Sequence, residues 1–176
     1  MGSDELRKDL LERCMENDVL AIEEVRKLSR ALILPSNLRE LGLLPSLKIL
    51  IRDIQAVTAL NIDLSTNGFN EELLNEEQKT ALYRIVQEQM NNILKHAHAS
   101  KVNIHLSSSE ERVELSLSDD GKGFDTSVKR SGVGLYNISN RVELFNGSVI
   151  IDSAPGKGCR LSVRIKSRAL APQSAA

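Results

Sequence analysis

The chain of 176 residues is 41% hydrophobic and 27% charged, an ordinary globular balance that leaves room for one domain plus a helical appendage. A net charge of −1 gives no electrostatic reason to expect nucleic acid or an anionic membrane as partner, and no apolar run approaches the roughly 20 residues that span a bilayer. Aromatic residues are only 3% with no Trp, so Leu, Ile and Val must build the core; Cys14 and Cys159 lie too far apart for a CxxC motif, which argues against a disulfide framework or zinc site and makes a reducing cytoplasm the default.

In chain order, the stretch from Asp4 to Leu34 is free of Gly and Pro and carries Leu11, Met15, Ile22, Val25 and Leu32 at helical spacings. Asp18 and Ser29 interrupt this stripe, so it fits a bundle helix better than a sustained coiled coil. Pro35 ends the helix by removing a backbone donor and biasing Leu34 away from helical angles. A second helix is expected from about Pro45, burying Leu47, Leu50, Ile51, Ile54 and Val57. Leu60, Ile62 and Leu64 then alternate as a short strand, and Asn67-Gly68 turns the chain. Glu76 to about Ala97 has the most regular helical pattern, with Leu82, Ile85, Val86, Ile93 and Ala97 on its apolar face. Val102, Ile104 and Leu106 alternate, Ser107–Glu110 turns, and Val113, Leu115 and Leu117 alternate again, which predicts a hairpin. After a glycine-rich stretch from Asp119 to Gly134, a helix carrying Leu135, Ile138, Val142 and Phe145 stops at Asn146-Gly147. Strands at Val149–Ile151 and Leu161–Ile165 flank Pro155-Gly156-Lys157-Gly158, and the chain from Ser167 reads as a polar tail.

Four short patterns carry chemistry. On the helix after Glu76, Glu88, Asn92 and Lys95 fall within roughly 60° of one another, so a carboxylate, an amide oxygen and an ammonium project together opposite the apolar face. A solvated polar face would look similar, although Asn91-Asn92 in mid-helix is a choice that a mere surface would not need. Asp119-Asp120-Gly121-Lys122-Gly123-Phe124 follows a strand directly; its glycines let the backbone approach a flat ligand, and its Asp can accept from an amino group. A tight turn would also use these residues. Gly132-Val133-Gly134 runs straight into a helix, where free amides and the dipole favour phosphate; a plain helix start is the alternative. Gly156-Lys157-Gly158 alone would be only a hairpin.

In this order the four patterns resemble the N, G1, G2 and G3 boxes of the ATP-binding fold shared by histidine kinases, gyrase, Hsp90 and MutL. Gln87-Glu88, Asn92 and Lys95-His96-Ala97 are similar to the histidine kinase form. Arg84-Ile85-Val86-Gln87-Glu88, Gly132-Val133-Gly134-Leu135 and Asn140-Arg141 resemble the nitrate-sensor-like subfamily. The resemblance covers Leu60 to Ile165. Upstream, Ala21–Ser29, Leu34-Pro35 and Leu41-Gly42-Leu43 resemble the second helix of a dimerisation and phosphoacceptor hairpin and its exit. The first helix, with its acceptor motif, has no counterpart: the three histidines, His96, His98 and His105, all fall in the ATP-binding part.

The resemblance implies an α+β two-layer sandwich, a mixed and mostly antiparallel sheet covered by helices on one face, preceded by an N-terminal helix from the dimerisation hairpin. The implied domains are 1–40 (partial dimerisation helix), 41–166 (ATP-binding catalytic domain) and 167–176 (flexible tail). By this analogy Asp119 accepts from the adenine amino group while Gly121 and Gly123 let the base sit close. Asn92 coordinates Mg²⁺, Lys95 contacts phosphate as a point charge, and His96 contributes nearby. Gly132, Gly134 and Leu135 shape the lid and bring helix amides to the triphosphate, Gly158 and Cys159 border the base, and Glu88 is the candidate general base. Cys159 departs from the family's usual Thr, so a hydroxyl contact near adenine is lost or weakened. The lid, about Asp125 to Ser131, is short and lacks the Phe-containing box of larger kinases. For His98, His105 and Cys14 a structural role is the expectation.

The implied activity is transfer of the γ-phosphoryl group of ATP to a histidine on a helix not present in this chain. The implied partners are that helix of the parent kinase, a response regulator downstream, and a second copy in a full-length homodimer. The expected location is the cytoplasm, which includes the cytoplasmic portion of a membrane-bound sensor. Two other readings use the same fold: a serine kinase of the anti-sigma-factor type, and a nucleotide-binding interaction module without catalysis. The upstream Glu24-Val25-Arg26-Lys27-Leu28-Ser29 segment favours the first reading over the serine kinase, and intact Glu88, Asn92 and Asp119 count against the third.

Overall fold

The computed structural model describes residues 38–127 and 133–168. The chain divides into two units, Met1–Leu34 and Pro35–Ala176, and the described residues belong to the second. The helix expected over Asp4–Leu34, lid residues 128–131, Gly132 and the chain beyond Arg168 lie outside the described residues.

A short helix α1 (Leu38–Leu41) leads through Gly42 into α2 (Leu43–Gln55). α2 starts two residues before Pro45, since a proline in the first turn gives up an amide that has no helical partner anyway. The free amides of Leu43 and Leu44 are instead taken by the Glu71 carboxylate, at 2.5 and 3.1 Å. α2 buries Leu43, Leu47, Leu50, Ile51 and Ile54, spaced three and four apart. Val57, expected on that face, lies beyond the helix end and is exposed.

After β1 (Asn61–Ser65) and a 3₁₀ turn (Glu71–Leu73), α3 (Glu76–Asn92) opens on a reciprocal cap. The Gln78 amide donates to Asn75 Oδ1 at 2.8 Å, and the Asn75 amide donates to Gln78 Oε1 at 3.0 Å. Gln78 Nε2 also donates to the Lys166 carbonyl at 2.8 Å, which ties the start of the helix to the last strand. The helix continues to Ala97 as expected, but its last turn, Ile93–Ala97, is a π turn that ends where His98 adopts left-handed angles (φ 52).

The remaining elements are β2 (Lys101–Ser108), β3 (Arg112–Asp119), α4 (Val133–Glu143), β4 (Ser148–Ser153) and β5 (Cys159–Lys166). The strands form one sheet in the order β1-β2-β3-β5-β4, with β1 and β2 parallel and every other pair antiparallel. The parallel pair follows from the α3 crossover between β1 and β2, and the other neighbours from hairpins or a return through α4. Alternation along β2, β3 and β5 places Val102, Ile104, Leu106, Val113, Leu115, Leu117, Leu161, Val163 and Ile165 in the core, and their polar neighbours face away. This is the expected two-layer α+β sandwich. Its helical layer is centred on α3, which is buried nearly all round, on Leu82, Ile85, Val86 and Met90 among others. Among the described residues no helix is long and apolar enough to cross a membrane.

Candidate active site

The carboxyl end of α3, the loop after β3, the start of α4 and the start of β5 enclose a cavity of about 220 Å³. α3 and its π turn contribute Gln89, Asn92, Ile93, His96 and Ala97, a set at i, i+3, i+4, i+7 and i+8. The loop after β3 contributes Asp119, Lys122, Gly123 and Phe124. Gly134 and Leu135 of α4 and Cys159 of β5 complete the wall. Ile93, Ala97, Phe124 and Leu135 make it an apolar slot into which a few polar groups converge, the usual build of a small-molecule site.

Asp119 owes its place to strand pairing. It is the last residue of β3 and lies opposite Cys159, the first of β5. Its carboxylate accepts from the Gly121 amide at 3.0 Å and from the Cys159 amide. Burial pushes this carboxyl above its ordinary range, the Asp120 charge adds to the rise, and the two amides oppose it. Asp120 is exposed and accepts from the Ser100 and Lys101 amides at 2.8 Å, bonds that hold its carboxyl below the usual range. The two neighbouring aspartates thus have separate tasks: Asp120 fastens the start of β2, and Asp119 keeps a buried acceptor in the slot.

Burial pushes the Cys159 thiol up to about 11, with the Asp119 charge as a further cause and the polar Ser153 and Gln89 side chains opposing it. At neutral pH this thiol is a small, uncharged part of the wall. Ser153 Oγ donates to the Gly158 carbonyl at 2.7 Å and accepts from the Phe124 amide at 3.0 Å. The β4–β5 turn is thereby fastened to the loop after β3. The Lys122 amide donates to the Ala97 carbonyl at 2.8 Å, which fixes that loop against the π turn as well.

The start of α4 comes very close to α3. A Cβ built on Gly134 would stand 2.5 Å from Glu88 Oε1 and 3.1 Å from Asn92 Oδ1. This approach sets a carboxylate and an amide oxygen, the ends of two flexible side chains, beside the first turn of α4.

Seven residues singled out from sequence line the cavity: Asn92, His96, Asp119, Gly123, Gly134, Leu135 and Cys159. Glu88 lies at its border beside Gly134, while Gly121 and Gly158 stand behind the wall next to Ala97 and Asp119. Lys95 is exposed and does not join the wall. The physical reason is the π turn: each residue in it advances by less than 100°, so His96 moves toward the line of Glu88 and Asn92 and Lys95 turns outward. Gln89, Lys122 and Phe124 are lining residues that the sequence reading does not single out, and Ile93 and Ala97 are expected only on the core face. Gln89 and Ile93 could have been found as the i−3 and i+1 neighbours of Asn92; Lys122 and Phe124 carry no signal beyond their place in the glycine-rich loop.

Residues 77–169 match the family described as histidine kinase-, DNA gyrase B-, and HSP90-like ATPase, which is more than half of the chain. The sensor histidine kinase MctS of Rhizobium johnstonii is 39% identical over 139 residues, covering 76% of this chain and 30% of that protein. The oxygen sensor histidine kinase NreB of Staphylococcus carnosus is 33% identical over 146 residues, covering 82% of this chain and 42% of that protein. The chain thus spans less than half the length of these relatives. A blue-light activated histidine kinase of Erythrobacter litoralis shares the fold, with a TM-score of 0.62, 18% identity and coverage of 88% of this chain and 50% of that one. The chain therefore belongs to the histidine kinase-, DNA gyrase B-, and HSP90-like ATPase family, and carries the ATP-binding catalytic domain of the sensor histidine kinase type.

Proposed function

We propose that this chain binds Mg-ATP in the cavity between α3 and α4 and transfers the γ-phosphoryl group to a histidine of the parent kinase that lies outside this sequence. The observation that carries the reading is a buried acceptor, Asp119, in a largely apolar slot whose other border sets Glu88 and Asn92 against the first turn of α4. Asp119 accepts from the exocyclic amino group of adenine, and the apolar wall takes the faces of the ring. Gly134 brings the helix start to the phosphates, where amides and the dipole offset negative charge. His96 adds a donor group beside them, and Lys122 in the wall is a cation in reach.

The described residues contain no group of three or more His, Cys, Asp or Glu side chains that could hold a metal, so they build no cage of their own. Asn92 offers a hard oxygen donor, which suits a magnesium ion that keeps waters and phosphate oxygens in its shell. Bound there, magnesium neutralises charge on the phosphates. Glu88 then orients, and accepts the proton from, the incoming imidazole. In the parent protein the acceptor helix belongs to a homodimer, and a response regulator takes the phosphoryl group onward in the cytoplasm.

The test supplies a dimerisation hairpin with its histidine in trans. Acid-labile phosphohistidine should form with this chain and ATP, and Glu88→Ala should abolish it while sparing ATP affinity. Acid-stable phosphoserine on a partner would replace this reading with the anti-sigma-type kinase.

A further inference from the structure

Gln89 has no part in the motifs that identify the site, yet it is 4% exposed and lines the cavity. Its buried neighbours on α3 are Ile85, Val86, Met90 and Ile93, so an aliphatic side chain would suit the surroundings better. A buried amide costs free energy unless its donor and acceptor are both engaged. Gln89 turns its acceptor to the site: its Oε1 accepts from Asn92 Nδ2 at 3.5 Å. The orientation of Asn92 follows from this. With its nitrogen turned to Gln89, its oxygen is the nearer atom to Gly134, at 3.1 Å against 3.4 Å for the nitrogen from a Cβ built there.

An asparagine can serve a hard cation only through its oxygen, and the two ends of the amide are otherwise nearly interchangeable in shape. We propose that Gln89 is a positioning residue that holds the Asn92 amide with Oδ1 toward the start of α4, in the sense required to bind magnesium with the nucleotide. The inference rests on the nucleotide-site reading above. It assigns Gln89 no contact with the reacting atoms.

The discriminating substitution is Gln89→Met, which keeps length and packing but removes the acceptor. Nucleotide binding is measured by calorimetry with ATP over a range of Mg²⁺ concentrations, and again with EDTA. Freeing the Asn92 side chain restores its rotamers and both amide orientations, so the Mg²⁺ needed for half-maximal enhancement should rise about fivefold. The loss of affinity in EDTA should be at least about threefold smaller than the loss with Mg²⁺. The same substitution is then made in an Asn92→Asp background. A carboxylate presents oxygen whichever way it turns, so Gln89→Met should leave the Mg²⁺ requirement of Asn92→Asp unchanged. Equal losses with and without Mg²⁺, an unchanged requirement, or a shift that persists in the Asn92→Asp background would each overturn the positioning role while leaving the nucleotide site intact. Failure of the unaltered chain to bind ATP at any Mg²⁺ concentration would instead overturn the site reading, and this inference with it.

Discussion

Asp119→Asn separates what the buried carboxylate does for the ligand from what it does for the fold. The substitution is isosteric, and its Oδ1 still accepts from the Gly121 amide, now 3.0 Å from the carboxylate. What changes is the other end, where in the proposed complex an acceptor becomes a donor facing the amino group of the base. A hydrogen bond to a charged partner contributes about 1.5–3 kcal/mol, and two opposed donors push the loss to the upper end of that range. At about 1.4 kcal/mol per tenfold, ATP affinity should fall about 100-fold. The ligand-free domain should behave oppositely. Burial raises the folded-state pKa of Asp119, so the group favours folding only below the ordinary carboxylate value, about 3.9, and this contribution is lost as pH rises through the raised value. At pH 7 the ionised side chain is a net cost to the fold, and a neutral amide removes that cost. Calorimetric titration with Mg-ATP and a thermal melt followed by circular dichroism read the two quantities on one sample. The ligand-free melting temperature should be unchanged or higher. As pH is lowered, ATP binding by the unaltered chain should begin to fail above the range of an ordinary aspartate, and the Asp119→Asn variant should show no such step. The reasoning is refuted by ATP affinity within threefold of the unaltered chain. A melting temperature lower by more than about 5 °C would refute it too, since the loss would then reflect unfolding.

Three further outcomes follow from the geometry. Gly158→Ala should destabilise the domain by about 3 kcal/mol or more in denaturant unfolding, because a Cβ there at φ 68 strikes the Asp119 carbonyl oxygen of the paired strand. Gly156→Ala, at φ 78 with open space around it, should cost only about 1 kcal/mol; equal costs would contradict the packing described. In a Cys14→Ser background, iodoacetamide at pH 8 should label Cys159 at least about 100-fold more slowly in the folded chain than in denaturant, since burial and a thiol pKa of about 11 leave little accessible thiolate. Comparable rates would show an open, ionised thiol. Glu71→Ala should lower unfolding free energy by about 1 kcal/mol, because it removes the carboxylate that caps the first amides of α2 and pairs with Lys79 at 3.6 Å. Glu71→Gln should recover part of that loss, and no difference between the two variants would contradict the capping role.

Much of the site was legible because its signals are local. A glycine pair before a helix, an aspartate ending a strand and an asparagine in mid-helix mark their positions through the backbone conformation or donor type each supplies. The strands were legible through period-two alternation, and the hairpin of β2 and β3 through its short connection. One expectation drifted where burial depends on the end of an element: Val57 continues the helical period of α2, yet the helix stops at Gln55.

The sequence alone determined the ATP-binding identity of the domain, the presence of Glu88, Asn92 and Asp119 as polar groups on its candidate-site elements, and the order of its strands and helices along the chain. Tertiary structure decided which of these groups share a wall. The π turn after Asn92 changes the angular advance of the helix, which brings His96 to the cavity and carries Lys95 away. Pairing of β3 with β5 sets Asp119 against Cys159, far apart in the chain, and the close approach of Gly134 brings α4 to Glu88 and Asn92. Residue identity and spacing along one element encode which groups exist. Which of them meet depends on helix phase and strand register, and those are set by packing between elements that no local pattern records.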